Sequence, residues 1–452
     1  MFRRFSAIVL AFILSIGIMG YGNVSPTKKN VPFTVSAKSN RFDKNGKIEE
    51  TVLIDQDNIK VTAKSLKYED NEAKLELLLE NNSGVNLTFI SGSIGYSANS
   101  VNGYMMPEMY MNEDVGTGEQ KSVEVYIDLK ELQLIYGINS IADIEVGIYT
   151  TDDDNNETIY DPKKITTSLA DTYDYKKDTY QQAMRSNKIR TVMGRVTYWK
   201  EKQFYNESDV SINSIALLTN KDGEQIFCIE FKNNSGKMVN ASISNVAVND
   251  LILGSGNLWS MTTVNAGTRG VEYFSLNQLL NKKSRDTIRF GKPTTISFDV
   301  ALSDKDNNDI SSSERIKIKV SSLTKSYKVS KKPSFDSNGI KVTELGIYKK
   351  KDKYESYPYR ILFAVENTGS EHVYATCDHD SLLINGKTVD FIDSGIGLPE
   401  KKTGIMYIDF SKDSAKEIGI KSVDDIKNIE FKFIARDDSY NTVVDEQYNE
   451  TR

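Results

Sequence analysis

The scarcest chemistry in this 452-residue chain is gathered in one place. Its two histidines, His372 and His379, lie close to Cys377, Asp378 and Asp380. On an extended strand Cys377 and His379 share a face, a geometry a zinc ion or a thiol–imidazole pair could use. Two ligands do not make a zinc site, and a Cys–His nucleophile also needs an orienting group and an oxyanion pocket. The expectation is therefore a buried thiol beside an ordinary surface histidine. A second candidate is the acidic turn at Asp304, Asp306 and Asn308, which comes closest to the Asp-x-Asp-x-Asn rhythm of hard oxygen ligands that calcium prefers. No glycine at the sharp turn and no closing glutamate follow, and Asp and Asn are also default residues of hairpin turns. A polar turn is the favoured reading, with calcium kept as the one cofactor the residues suggest. A third candidate is the run Tyr104-Met105-Met106-Pro107-Glu108-Met109-Tyr110-Met111, with Trp259 in the comparable place further on. Tyr104, Met105, Met106, Tyr110 and Trp259 would suit an adaptable binding surface, but strands covering a sandwich have the same composition, and Pro107 argues against a central strand. There is neither a glycine-rich phosphate loop nor a Ser-His-Asp arrangement, so no residue is assigned a catalytic role.

The elements that must carry these residues repeat. Leu75-Glu76-Leu77-Leu78-Leu79-Glu80-Asn81-Asn82-Ser83-Gly84, Phe227-Cys228-Ile229-Glu230-Phe231-Lys232-Asn233-Asn234-Ser235-Gly236 and Ile361-Leu362-Phe363-Ala364-Val365-Glu366-Asn367-Thr368-Gly369 recur at spacings of 152 and 134 residues. Such spacings exceed any solenoid period, so each copy reads as a whole module. The alternation predicts strands whose inward residues are Leu75, Leu77 and Leu79, then Phe227, Ile229 and Phe231, then Ile361, Phe363 and Val365. Tight turns are expected at Asn102-Gly103, Asn249-Asp250 and Asn385-Gly386, where positive φ is tolerated. A short helix follows a further strand, N-capped by Asp128 with Glu131 in capping-box position and stopped by Gly137 in copy one, and bounded by Ser411 and Gly419 in copy three. Each copy closes on two strands around an acidic turn. About seven short strands per copy point to an all-β fold of three tandem immunoglobulin-like β-sandwich modules, each with one short helix.

In the wording "Glu-Asn-Asn-Ser-Gly", "Val-Asn-Gly" and "Ile-x-Asp-Ile-Glu", the copies resemble immunoglobulin-like modules of unknown function from exported lipoproteins of Gram-positive bacteria. The resemblance implies a fold and a cell-surface setting and carries no catalytic residue across. The expected organisation is a signal peptide at 1–22, an N-terminal linker at 23–49, module 1 at 50–168, a basic aromatic linker at 169–202, module 2 at 203–324, a linker at 325–333 and module 3 at 334–450. In the longer linker Lys176, Lys177, Arg185, Lys188, Arg190, Arg195, Lys200 and Lys202 outnumber Asp171, Asp174, Asp178 and Glu201. Basic joints between acidic modules could touch anionic wall polymer or lipid headgroups, although charge runs are commonly just solvated.

Arg3 and Arg4 precede an apolar run from Ala7 to Met19 and small residues at Gly20 and Gly22, the pattern of a signal peptide with cleavage before Asn23. The ending Ile18-Met19-Gly20-Tyr21-Gly22 resembles a lipoprotein signal with Tyr21 where the lipid-accepting cysteine would stand, and a tyrosine cannot form the thioether. Membrane contact is thus expected only through this segment if it stays uncleaved. The net charge of −6 argues against nucleic acid as a partner. Cys228 and Cys377 occupy non-matching positions in different copies, so a disulfide framework is not expected. These readings converge on an exported, noncatalytic interaction or scaffold array at the cell surface or in the medium, its partner a protein or glycan of the envelope. The alternatives are a secreted hydrolase or inhibitor acting through acidic residues and a calcium-stabilised spacer. Mass spectrometry of the mature protein is expected to find either Asn23 first or the intact N-terminus; a diacylglyceryl mass would refute the reading of Tyr21.

Overall fold

The computed structural model describes residues 41–92, 98–186, 188–252, 260–276, 293–321, 332–350 and 355–452, the side chains of 312–314 excepted. The signal peptide, most of the N-terminal linker, most of the linker at 325–333 and Trp259 lie outside these residues, as does the position of a helix in copy two.

The fold is all-β and sandwich-like, with four sheets among the described residues. All nine predicted inward residues of the repeated strand are completely buried. The repeated Asn-rich corner has a physical cause. Asn81, Asn233 and Asn367, the first asparagine of each corner, are buried. Each side-chain amide donates to two carbonyls that the turning chain leaves unpaired: those of Val85 and Val115, of Lys237 and Val264, and of Glu371 and Leu398. Each side-chain oxygen accepts the N–H two residues on, from Ser83, Ser235 and Gly369. One amide therefore ties the end of the strand to the segment facing it across the sandwich, and no other side chain of this size offers two donors and an acceptor.

The second repeated asparagine acts similarly. Asn102, Asn249 and Asn385 lie in the left-handed region at φ 51°, 53° and 53°, each followed by a second positive φ, as the tight hairpin requires. Their side-chain oxygens accept from Ala142 and Asp143, from Thr294 and Thr295, and from Lys427 and Asn428. The short helices Leu129–Leu134 and Lys412–Glu417 are N-capped by Asp128 and Ser411 as expected. The capping box in copy one does not close. Glu131 Oε1 is buried without a hydrogen-bond partner, and burial pushes its carboxyl up to about 7.

The linker at 169–202 requires correction. It contains the helix Thr179–Ser186, flanked by two short 3-10 turns, and its last residues begin the strand Arg195–Glu207, so the boundary at 203 falls inside a strand. Tyr180, Met184 and Ile189 are buried in the same core as copy one. What looked like a solvated charge run places its apolar residues on one helix face, which the notably basic composition concealed.

Nor do the sheets end where the copies end. The strand Tyr104–Met105 of copy one pairs in parallel with Arg269–Ser275 of copy two, and Leu251–Ile252 of copy two pairs in parallel with Thr403–Phe410 of copy three. At both junctions the second turn residue accepts the equivalent hydrogen bond, Arg269 N–H to Gly103 O at 2.8 Å and Thr403 N–H to Asp250 O at 3.3 Å. Residues Phe42–Arg452 form one compact unit as a result.

Replacing Asn233 by Ala strands the Lys237 and Val264 carbonyls in the interior and should lower stability by about 2–4 kcal/mol. Asn233→Asp, which keeps the shape and loses both donors, should do no better. Urea unfolding measures both, and an unchanged midpoint for either would remove the bracket from the account.

Candidate functional site at the junction of copies one and two

The hairpin of copy one places Tyr104 and Met105 against copy two. Both are buried, as is Met106, whereas Tyr110 is 55% exposed. The Met105 sulfur accepts from Asn265 N–H and Thr268 Oγ1 and sits in the core of copy two. Of the run considered as a binding edge, Tyr104 and Met105 thus meet the next copy of the same chain, Met106, Met109 and Met111 lie in the first core, and Tyr110 stays exposed.

Tyr104 continues into a buried polar network. Its hydroxyl donates to Asp178 at 3.1 Å and accepts from Tyr180 N–H at 3.3 Å. Asp178 also accepts from Gln181 N–H at the start of the connecting helix and pairs with Arg269. The Arg269 guanidinium lies 5.8 Å from the centre of the Tyr104 ring and 3.7 Å from Glu230. Glu230 is completely buried and accepts from Ser214 Oγ at 2.7 Å and from the Gln181 amide, whose oxygen in turn accepts from Trp199 at 2.9 Å. Burial raises the Glu230 carboxyl above its ordinary value and the Asp178 charge adds to this, partly offset by Ser214, Arg269 and Gln181. Glu230 alternates outward from the core of copy two, so its burial arises because the connecting helix covers that outer face. The available signal was the lost alternation in Ile215-Ala216-Leu217-Leu218 and Phe227-Cys228-Ile229, the mark of strands buried on both sides.

Beside this network opens a cleft of about 600 Å³. It is lined by the hairpin Asn102–Tyr104 and residues Ala266–Arg269, by Lys232 and Asn234, and by Lys164, Tyr173, Tyr175, Lys176 and Lys177. The Tyr173 and Tyr175 rings meet edge to face at 4.8 Å. Lys164 lies 5.8 Å from the Tyr175 ring and 3.9 Å from the buried Asp143 carboxylate. Burial, then Asp143, holds the Tyr175 hydroxyl above its ordinary value. Lys176, Lys177 and Lys232 make no ion pair among the described residues. Lys232 and Arg269 stand directly opposite on paired strands, a like-charge placement that opposes folding.

The other candidates are not brought to this cleft. The strand Val373–Cys377 ends at Cys377, so His379 falls in a turn, 93% exposed, while the thiol is buried and pushed up to about 12. The shared face that an extended strand would give Cys377 and His379 does not form, and the arrangement is the expected one of a buried thiol beside a surface histidine. His372 pairs with Asp438 at 2.6 Å. In the acidic turn Asp304 accepts from the N–H groups of Asp306 and Asn308 and from the Asn308 side chain, which lowers its carboxyl. Asp152 and Asp437 make the same three bonds. The recurring rhythm therefore builds a turn, and Asn308 presents its N–H rather than its oxygen to Asp304. Among the described residues no helix is long and apolar enough to cross a membrane.

No protein-family model matches the chain, and no curated protein does. Similar solved structures include the Amycolatopsis orientalis exo-chitosanase CsxA, at 7% identity over 89% of this chain and 78% of that one with a TM-score of 0.18. The YadV chaperone gives 10%, 50%, 92% and 0.15, and a complex of the Salmonella enterica SafA pilin with the SafB chaperone gives 11%, 51%, 90% and 0.14. Likenesses at these TM-scores carry no functional argument.

An acid whose folded pKa lies above its unfolded one contributes stability that is full below the unfolded value, 4.5 for this carboxyl, and is lost as pH rises through the folded value. The protein should therefore lose stability between about pH 5 and about pH 8, with the midpoint falling by roughly 2–4 °C, and Glu230→Gln should flatten that slope. Melting curves across the range check this; parallel profiles for the two proteins would show that Glu230 is not the titrating group.

Proposed function

We propose that the chain is an exported, noncatalytic binding protein of the bacterial envelope, whose copies of an immunoglobulin-like module are fused so that one junction holds a ligand in fixed geometry. The observation that carries this reading is the cleft between copies one and two. In a chain of net charge −6 it gathers five basic side chains, Lys164, Lys176, Lys177, Lys232 and Arg269, from segments that only the folded junction brings together. Arg269 and Lys164 face Asp178 and Asp143, and the excess positive charge left by Lys176, Lys177 and Lys232 would raise the local concentration of an anionic partner. The main-chain bond from Arg269 to Gly103 fixes two of the cleft's lining segments to each other, so such a ligand would meet a preformed site rather than a hinge.

A plain spacer is the second reading, favoured by the repeated junction bond, which stiffens the chain whether or not anything binds. Cosedimentation of the purified mature chain with envelope fragments separates the two. Retention at low ionic strength that is lost by roughly 0.5 M salt is expected for a cleft of this charge. No retention at any salt concentration would leave the spacer.

A further inference from the structure

We infer that the junction cleft is a site for a phosphate-bearing polyanion, a phosphodiester-linked polyol or glycan chain; this rests on the binding role proposed above and names the ligand's chemistry.

The first ground is a comparison between copies. Lys232 occupies the position held by Glu80 in copy one and Glu366 in copy three, the next-to-last residue of the core strand, before the buried asparagine that ends it. Its cross-strand partner is Arg269, where the other copies pair Glu80 with Gln120 and Glu366 with Thr403. The fold accepts glutamate at this position in two copies out of three, so packing does not require the lysine. Copy two alone sets two cations opposite each other, and because Asp178 pairs with Arg269 it is Lys232 that is left to meet an anion.

The second ground is which cations remain free to act. Arg269 is held by Asp178 and faces Glu230, and Lys164 faces Asp143. Lys176, Lys177 and Lys232 have no such partner among the described residues. Lysine binds phosphate as a compact point charge with rotatable donors, without the fixed fork geometry by which arginine grips carboxylate and phosphate alike. Lys176 and Lys177 come from the connecting segment and Lys232 from copy two, and all three line the one cleft. Three such ammonium groups are best matched by a ligand that carries more than one anionic group. The third ground is the aromatic lining: Tyr173 and Tyr175, packed edge to face, offer apolar ring surface with hydroxyls attached, which suits the carbon skeleton and hydroxyls between successive phosphates.

The test uses the mature chain and a soluble hexamer of glycerol phosphate, titrated by calorimetry, beside vesicles containing phosphatidylglycerol. Binding of the soluble hexamer assigns the phosphates to a polymer, and binding of the vesicles alone assigns them to a lipid headgroup; either supports the phosphate chemistry. Lys232→Glu, which installs the residue of the other two copies and relieves the like-charge pair with Arg269, should weaken binding by about tenfold or more without lowering the melting temperature. Lys176→Ala combined with Lys177→Ala should act in the same direction. Lys387→Glu, an exposed lysine of copy three, should leave affinity within about twofold. Equal loss with Lys387→Glu, unchanged affinity with Lys232→Glu, no binding by either probe, or tighter binding of a hexameric oligonucleotide would each overturn the inference. If envelope retention persists in Lys232→Glu, the binding role stands with a different ligand; if the wild type is not retained at all, that role falls as well.

Discussion

The structure depends on one small constraint: a two-residue strand that can leave its own copy only because the turn before it adopts two consecutive positive φ angles. Asn102-Gly103 and Asn249-Asp250 make that turn, and their buried side-chain amides fix it to the strand behind. The emerging strand has no partner on its far side within its own copy. An unpaired buried edge would strand carbonyls and N–H groups, so the next copy must supply them. The bonds from Arg269 to Gly103 and from Thr403 to Asp250 do so at the same register. Once that is fixed, the outer face of the next copy's first sheet lies against the previous copy's core. This is why Ala216, Leu218 and Cys228 belong to the first core and Leu362 and Ala364 to the second.

Copy two bears the consequences of docking on both sides. Its first sheet is buried on both faces, and the outward positions must be apolar or fully satisfied. Cys228 meets the requirement by being small and apolar in practice, its thiol pushed up by burial. Glu230 meets it through Ser214, Gln181 and the nearby Arg269, and burial of the carboxyl opposes ionisation throughout. The connecting helix is therefore a structural member of the junction. Asp178 caps it, ties it to Tyr104 and neutralises Arg269 in one residue.

Within a copy, much of this was legible. The period-two alternation identified the nine core residues, and Asn and Gly at the hairpins identified the positive φ angles, because both signals are local and each residue has one physical use there. The junctions were not legible, for the same reason reversed. Tyr104 and Met105 carry the composition of a binding edge and of a core strand equally, and only the partner decides between them. The segment at 169–202 hid a buried helix face beneath its lysines and arginines, and Glu230 read as an ordinary outward residue. The cleft draws on residues from Asn102 to Arg269, a span no motif reaches across. Its sequence-level traces were the basic segment at 169–202, which supplies Lys176 and Lys177, and the lysine at position 232 against glutamates at 80 and 366.

The same comparison explains why the junction does not simply continue outward. At the docked edges the receiving strand carries Gly270 and Gly404, and a Cβ at Gly404 would lie 2.1 Å from Ile396. The corresponding residue of copy one, opposite Leu79, is Lys121. On the donating side the residue after the turn is Tyr104 in copy one and Leu251 in copy two, both buried, but Lys387 in copy three, exposed along with Thr388. A lysine on each unpaired edge keeps its ammonium in water and would have to be desolvated for another strand to dock there, which opposes further pairing. The three copies thus share one way of folding and differ in how their edges are finished. Polar edges face water, apolar edges meet the next copy, the glycines make room for side chains of their own copy, and the cleft forms where basic side chains gather beside such a meeting.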